Sequence, residues 1–260
     1  MLRRALATHP DVTDLGEIMH PDYSRGFYRN LSDRMANNIS DGVHTNWMAI
    51  LLDTIAILTR DGPETQRYII DIKYNMALSF GMHLYHGTLT NLFTSTLHEK
   101  NCKIVQVVRQ NKLDLIVSER MAMMTNQWEL SSQQEQKAGT VHINPITLHE
   151  RIRNEAALDQ LFRDQIKDIP DTYEVIYEKL FLETGDINPA PLDQIARLLE
   201  LEPQFDLKPK LTKQARPLSE SIRNFKQVRQ AIGILVRDRY LPAFYEDGFS
   251  EPEDRAEGGA

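Results

Sequence analysis

The sequence predicts an α/β protein: a parallel sheet flanked by helices in three layers. Two observations point there. Four short runs rich in β-branched and aromatic residues, at 12–18, 68–74, 104–108 and 173–177, are separated by stretches with helical spacing of apolar side chains. Strands that alternate with helices are joined by crossovers, and crossovers lead to parallel pairing. The 260 residues, 41% of them apolar, are enough to bury a sizeable core.

Taken in order, residues 2–7 have a helical pattern with no capping residue before it, and Pro10 ends it. The run 12–18 is a short strand that carries Gly16 and Glu17. Residues 21–41 are polar and aromatic and read as irregular, and a helix is expected over 45–58. Gly62 and Pro63 break the chain before the strand YIIDIKY at 68–74, which ends near Lys73. A helix over 89–97 leads into the next strand. After Trp128, the Gln- and Ser-rich stretch 129–144 reads as a mobile loop. A long amphipathic helix covers 146–166, with Leu158, Leu161, Phe162 and Ile166 on its apolar stripe. The strand YEVIY at 173–177, a helix over 191–201 and a helix over 219–236 capped by Ser219 complete the order. Residues 246–260 are acidic, Gly-rich and poor in apolar side chains, so they are expected to be a disordered tail after a domain at 1–245.

The segment KIVQVVRQNKLDLIVS at 103–118 carries the most chemistry. Ile104, Val105, Val107 and Val108 suit a strand buried on both faces. Arg109 stands at its carboxyl end, Asn111 is a candidate helix N-cap, and Leu113, Ile116, Val117, Arg120 and Met121 follow helical spacing. Ligands of open α/β sheets bind outside the carboxyl ends of the strands. An arginine fork, a helix start and the hydroxyl of Ser118 suit one phosphate. The competing reading is a solvated strand end with an ordinary helix serine.

Composition excludes several classes. A formal net charge of −7 argues against a general nucleic-acid-binding surface. Cys102 is the only cysteine, so no internal disulfide forms, no Cys-rich zinc site exists, and a reducing cytoplasm is the simplest compartment. The best apolar segment, 48–58, is too short for a bilayer and contains Asp53. His83 and His86 lie three apart without a paired carboxylate, so no metal is assigned.

Four pieces together resemble the sulfotransferase family, especially its bacterial carbohydrate-type branch, over residues 1–230. LRRALATHPDVTDLGE at 2–17 resembles the helix after the family's first phosphate loop and the strand that follows it. IVQVVRQNKLDLIVS at 104–118, with Ala122 and Trp128, resembles the segment for the 3′-phosphate of the sulfuryl donor PAPS (3′-phosphoadenosine 5′-phosphosulfate). VIYEKL at 175–180 resembles the family's YEDL strand, and LTKQARPLSESIRNF at 211–225 its C-terminal nucleotide loop and helix.

The resemblance implies a fold similar to P-loop nucleotide kinases and transfer of a sulfuryl group from PAPS to a hydroxyl of a carbohydrate or small hydroxylated acceptor. It implies that Arg109 and Ser118 hold the 3′-phosphate, that Lys213 belongs to the nucleotide clamp beside Lys208, Lys210 and Arg216, and that Glu17 is the base. Lys73, at the end of its strand, is a candidate to assist the leaving phosphate or to face the acceptor, with a solvated lysine the favoured reading, and Tyr23, Phe27, Tyr28, Trp47 and Trp128 are candidates for stacking on sugar rings, against a core role.

Two departures stand out. Arg109 lies nine residues before Ser118, with Gln110 in the eight-residue place of the common cytosolic pattern. The family's 5′-phosphosulfate loop, similar to R-S-G-T-T, would immediately precede Leu2 and is absent. The expectation is a truncated reading frame that lacks the first strand. The alternatives are a sulfotransferase-fold binding protein without turnover and an unrelated kinase-like phosphotransferase. No G-x-x-x-x-G-K-[ST] supports the latter.

Overall fold

The computed structural model describes residues 2–17, 53–57, 59–60, 62, 66–71, 102–127, 139–182, 186–205, 217–247 and 249. In chain order the named elements are α1 (Leu2–Leu6), β1 (Val12–Glu17), β2 (Arg67–Asp71), β3 (Ile104–Val108), α2 (Lys112–Thr125), α3 (Leu148–Ile166), β4 (Thr172–Ile176), a 3₁₀ turn (Tyr177–Leu180), α4 (Pro189–Leu198), α5 (Leu218–Ser221), α6 (Phe225–Arg237) and α7 (Phe244–Asp247). The protein is mixed α/β, as expected, and all four anticipated strands form. They pair two by two, β1 with β2 and β3 with β4, in two small parallel sheets rather than in one among the described residues.

The chain divides into two compact units. One consists of Met1–Gln106, Leu161–Val175 and Asp186–Lys208, the other of Val107–Gln160, Ile176–Gly185 and Pro209–Ala260.

In the first unit β1 lies parallel to β2, with Val12 opposite Arg67, Thr13 opposite Tyr68 and Asp14 opposite Ile69. The register then slips, and Glu17 meets Asp71 across a bulge. Gly16, inside that bulge, has φ +81°, a conformation that only glycine adopts cheaply, and its N–H donates to Asp14 Oδ1 at 2.9 Å. His9 is buried and locks the turn before β1. Its Nδ1 accepts from Asp11 N at 3.1 Å, so Nε2 carries the proton and donates to the Glu202 carbonyl at 3.0 Å. Elsewhere in this unit Arg163 grips Glu174 with two hydrogen bonds, at 2.5 and 3.1 Å, and Ile166 and Ile169 pack with Cys102 and Ile104.

Among the described residues the second unit has a continuous core. Leu113, Ile116 and Val117 of α2 pack with Leu148 and Ile152 of α3, Val228 and Ile232 of α6, and Leu218, Ile222, Leu241, Tyr245 and Phe249. Lys112 at the start of α2 forms a buried ion pair with Asp159 of α3.

Four expectations are corrected here. The single helix over 219–236 is two helices. Ile222 is extended, with φ −106° and ψ 117°, and bridges Val141 in parallel. Residue 223 donates to the Val141 carbonyl at 2.8 Å, and Val141 N donates to the Ser221 carbonyl at 2.8 Å. Those pairings remove the backbone groups a continuous helix would need, and Ser219 is not the cap, since Pro217 occupies that position.

The stretch 129–144 is not a loop throughout. Val141 and Ile143 are buried, and Asn224 holds Ile143 from both sides, accepting from its N–H at 3.0 Å and donating to its carbonyl at 2.7 Å. On α3, Leu161 is 39% exposed, and the buried face runs instead through Leu148, Ile152, Asp159 and Ile166. Residues 246, 247 and 249 do not belong to a disordered tail, because α7 runs to Asp247 and Phe249 is buried in the core. Of the helix expected at 45–58, residues 53–57 are helical. The helix expected at 89–97 lies outside the described residues.

Candidate functional site

The turn between β3 and α2 is built mostly by local rules. Asn111 caps α2 as expected, its Oδ1 accepting from Leu113 N at 3.1 Å and Asp114 N at 3.2 Å. The rest of the turn is held by partners distant in sequence. Glu178 accepts from Gln110 N at 3.0 Å through Oε2 and from Asn111 N at 2.9 Å through Oε1. The buried Tyr245 hydroxyl accepts from Lys112 N at 3.3 Å and donates to the Gln110 carbonyl at 3.4 Å. The five N–H groups from Gln110 to Asp114 therefore all have partners within the protein.

Arg109 leaves the carboxyl end of β3 and its guanidinium lies over the Tyr177 ring, 4.1 Å from the centroid. Its Nη1 is 3.5 Å from the Asp114 carbonyl. In a regular helix that carbonyl accepts the N–H of residue 118, so Arg109 and Ser118 share one stretch of the α2 surface. Ser118 is exposed there and Arg109 is partly buried. The helix offers the hydroxyl to solvent, and the face of the Arg109 guanidinium is backed by an aromatic ring.

Next to Ser118, Glu119 is half-buried, and its carboxyl is pushed above the ordinary glutamate value of 4.5. Burial is the main cause and the neighbouring Glu155 carboxylate adds to it, while Arg151 and Arg109 oppose it. Arg151, Glu155 and Asp159 recur every four residues on α3, opposite Glu119 and Lys112 of α2. Charge thus lines the face between these two helices, with Arg109 at its edge. Burial likewise raises the Tyr245 phenol, with the carboxylates of Glu178, Asp114 and Asp159 acting in the same direction.

Glu17, the expected base, is the last residue of β1 in the first unit. It is partly buried and stands opposite Asp71 at the carboxyl end of the sheet. Arg109 and Ser118 both belong to the second unit, one at the end of β3 and the other on α2. Lys213, with Lys208, Lys210 and Arg216, lies outside the described residues, as do Lys73, His83, His86, Tyr23, Phe27, Tyr28, Trp47 and Trp128. Among the described residues no group of three or more His, Cys, Asp or Glu is placed to hold a metal ion. None of their helices is long and apolar enough to cross a membrane.

Sequence reasoning overlooked Tyr177 and Glu178 as parts of the arginine site. The sequence pattern ends a strand at Tyr177 with Glu178 after it, whereas β4 stops at Ile176 and a 3₁₀ turn begins at Tyr177. Their only local signal is a charged residue following a β-rich run, which names no partner. No family model, no curated protein and no solved structure matches this chain, so its chemistry is argued from its own geometry.

Proposed function

We propose that this protein is a sulfotransferase, moving a sulfuryl group from PAPS to a hydroxyl of a carbohydrate or small hydroxylated acceptor. The observation that carries the reading is Arg109 at the carboxyl end of a parallel strand, its Nη1 3.5 Å from the Asp114 carbonyl, with the exposed Ser118 one turn further along α2. A guanidinium backed by Tyr177 and an exposed hydroxyl form a donor set suited to a phosphate monoester, here the 3′-phosphate of the donor. By the resemblance of its sequence, Lys213 would belong to the nucleotide clamp. In the transfer, the sulfur–oxygen bond to the donor's 5′-phosphate breaks and a sulfur–oxygen bond to the acceptor forms. The acceptor's proton passes to Glu17, and charge builds on the leaving phosphate.

The test is calorimetric titration of the product nucleotide, PAP, into the chain and its Arg109→Ala variant. Loss of a charge-assisted fork should weaken binding by about 10- to 100-fold. A folded wild-type chain that takes up no PAP, or a variant that binds it equally well, would reject the reading. Glu17→Gln should abolish turnover while sparing PAP binding, and unchanged turnover would remove Glu17 from the mechanism.

A second reading, a protein of this fold that binds without turnover, is favoured by Glu178. Its carboxylate takes the turn N–H groups that a phosphate would otherwise use. PAP binding without sulfuryl transfer to any hydroxylated acceptor would select it.

A further inference from the structure

Three successive contacts join two segments that are far apart in the chain. Arg109 lies over Tyr177 at 4.1 Å, Gln110 N donates to Glu178 at 3.0 Å, and Asn111 N donates to Glu178 at 2.9 Å. The arginine and the turn that aims it are therefore held by two neighbouring side chains of one 3₁₀ turn. A carboxylate accepting two backbone N–H groups beside a helix start fills the place where a helix dipole favours an anion. A ligand phosphate can reach those N–H groups only by displacing it.

The geometry points to Glu178 as the residue that positions Arg109: it is a resident anion on the turn, and it directs a ligand phosphate to the side chains of Arg109 and Ser118 rather than to the start of α2. This inference rests on the sulfotransferase reading for the identity of the ligand, but the positioning itself is a property of the free protein. The carboxylate is matched to its task. Each oxygen takes one N–H, whereas the amide of a glutamine has a single acceptor oxygen and would turn its own NH₂ toward the second donor. One turn N–H would then be left facing a donor, and the backbone that aims Arg109 would relax. Tyr177 precedes Glu178 directly, so the ring under the guanidinium would shift with it.

The experiment uses the full chain and two readouts. The first is PAP affinity in wild type, Glu178→Gln, Arg109→Lys and the double variant. Glu178→Gln is expected to weaken PAP binding by about tenfold, the order of one charge-assisted hydrogen bond. In the Arg109→Lys background, which lacks the fork, the same change should cost no more than about twofold, because residues that act through one another are not additive. Unchanged affinity in Glu178→Gln, or a full additive loss in the double variant, would overturn the inference.

The second readout is the NMR shift of the Arg109 side-chain protons, which the Tyr177 ring shields in the free protein. Glu178→Gln should return them toward unshielded positions, and retained shielding would overturn the positioning role. Should wild type bind no PAP, the sulfotransferase reading falls and this signal still decides whether Glu178 positions Arg109. If Glu178→Gln does not fold, Glu178→Asp serves instead. Shorter by one methylene, it keeps the charge but reaches only one N–H, so a partial loss of shielding is expected and full shielding counts against the role.

Discussion

The ion pair between Lys112 and Asp159 ties the start of α2 to the middle of α3, and replacing one partner should unsettle the helix that carries Ser118. Their side chains are 5% and 11% exposed, so neither charge has water to fall back on. Lys112→Met leaves the Asp159 carboxylate buried without its counter-ion, and Asp159→Leu leaves the ammonium in the same position. Removing one member of a buried pair costs about 3–5 kcal/mol. A lysine at the first position of a helix also opposes the macrodipole, so Lys112→Met recovers roughly 0.3–1 kcal/mol, too little to change the sign. For a chain of this size the net loss, about 2–5 kcal/mol, corresponds to a fall in Tm of roughly 4–19 °C.

Lys112→Met combined with Asp159→Leu removes both charges and puts apolar volume in their place. That pairing should cost less than either single change and lie within about 2 kcal/mol of wild type. Calorimetric unfolding of the four proteins at neutral pH measures all three differences. If each single change costs less than about 1 kcal/mol, the pair behaves as a surface contact. If the double loss equals the sum of the singles, the two charges do not interact. Either result would refute the argument.

Glu119 makes a pH-dependent prediction. Its carboxyl titrates above 4.5 in the folded chain because of burial and Glu155. The folded state then holds that proton more tightly than the unfolded one. The resulting stability is complete below the unfolded value and is lost as pH rises through the folded one. Glu119→Gln should remove that decline, so its stability relative to wild type should increase from about pH 4 to about pH 7, as read by urea midpoints. A difference that stays constant across this range would count against the assignment.

Asn224→Ala should cost about 1–3 kcal/mol, because it strips partners from both the N–H and the carbonyl of the buried Ile143. Faster amide exchange at Ile143 should accompany the loss, and unchanged exchange would mean that the contact does not hold the segment.

Much of the fold was legible because its determinants are local. Asn111 accepts hydrogen bonds from N–H groups two and three residues on, so the start of α2 can be read from neighbouring letters. The β-branched runs that become β1 to β4 encode extended backbone in the same way. The places of Arg109 after β3 and of Ser118 on α2 were also legible, since both follow from the element types alone. The break at Ile222 was hidden. Residues 218–236 have an acceptable helical pattern, and only pairing with Val141 makes extended backbone the better choice. Leu161 looks like part of an apolar stripe, yet burial on α3 goes to Asp159, whose charge is acceptable inside only because Lys112 faces it.

By itself, then, the sequence determined the element types, the cap of α2 and the placement of an arginine at a strand end, all set by interactions spanning a few residues. The tertiary structure decided which strands pair, where the last long helix breaks and what fills the turn beside Arg109. Glu178 reaches Gln110 and Asn111 from 68 and 67 residues away. A hydrogen bond over that span depends on how the chain folds back on itself, and neither segment carries that information alone.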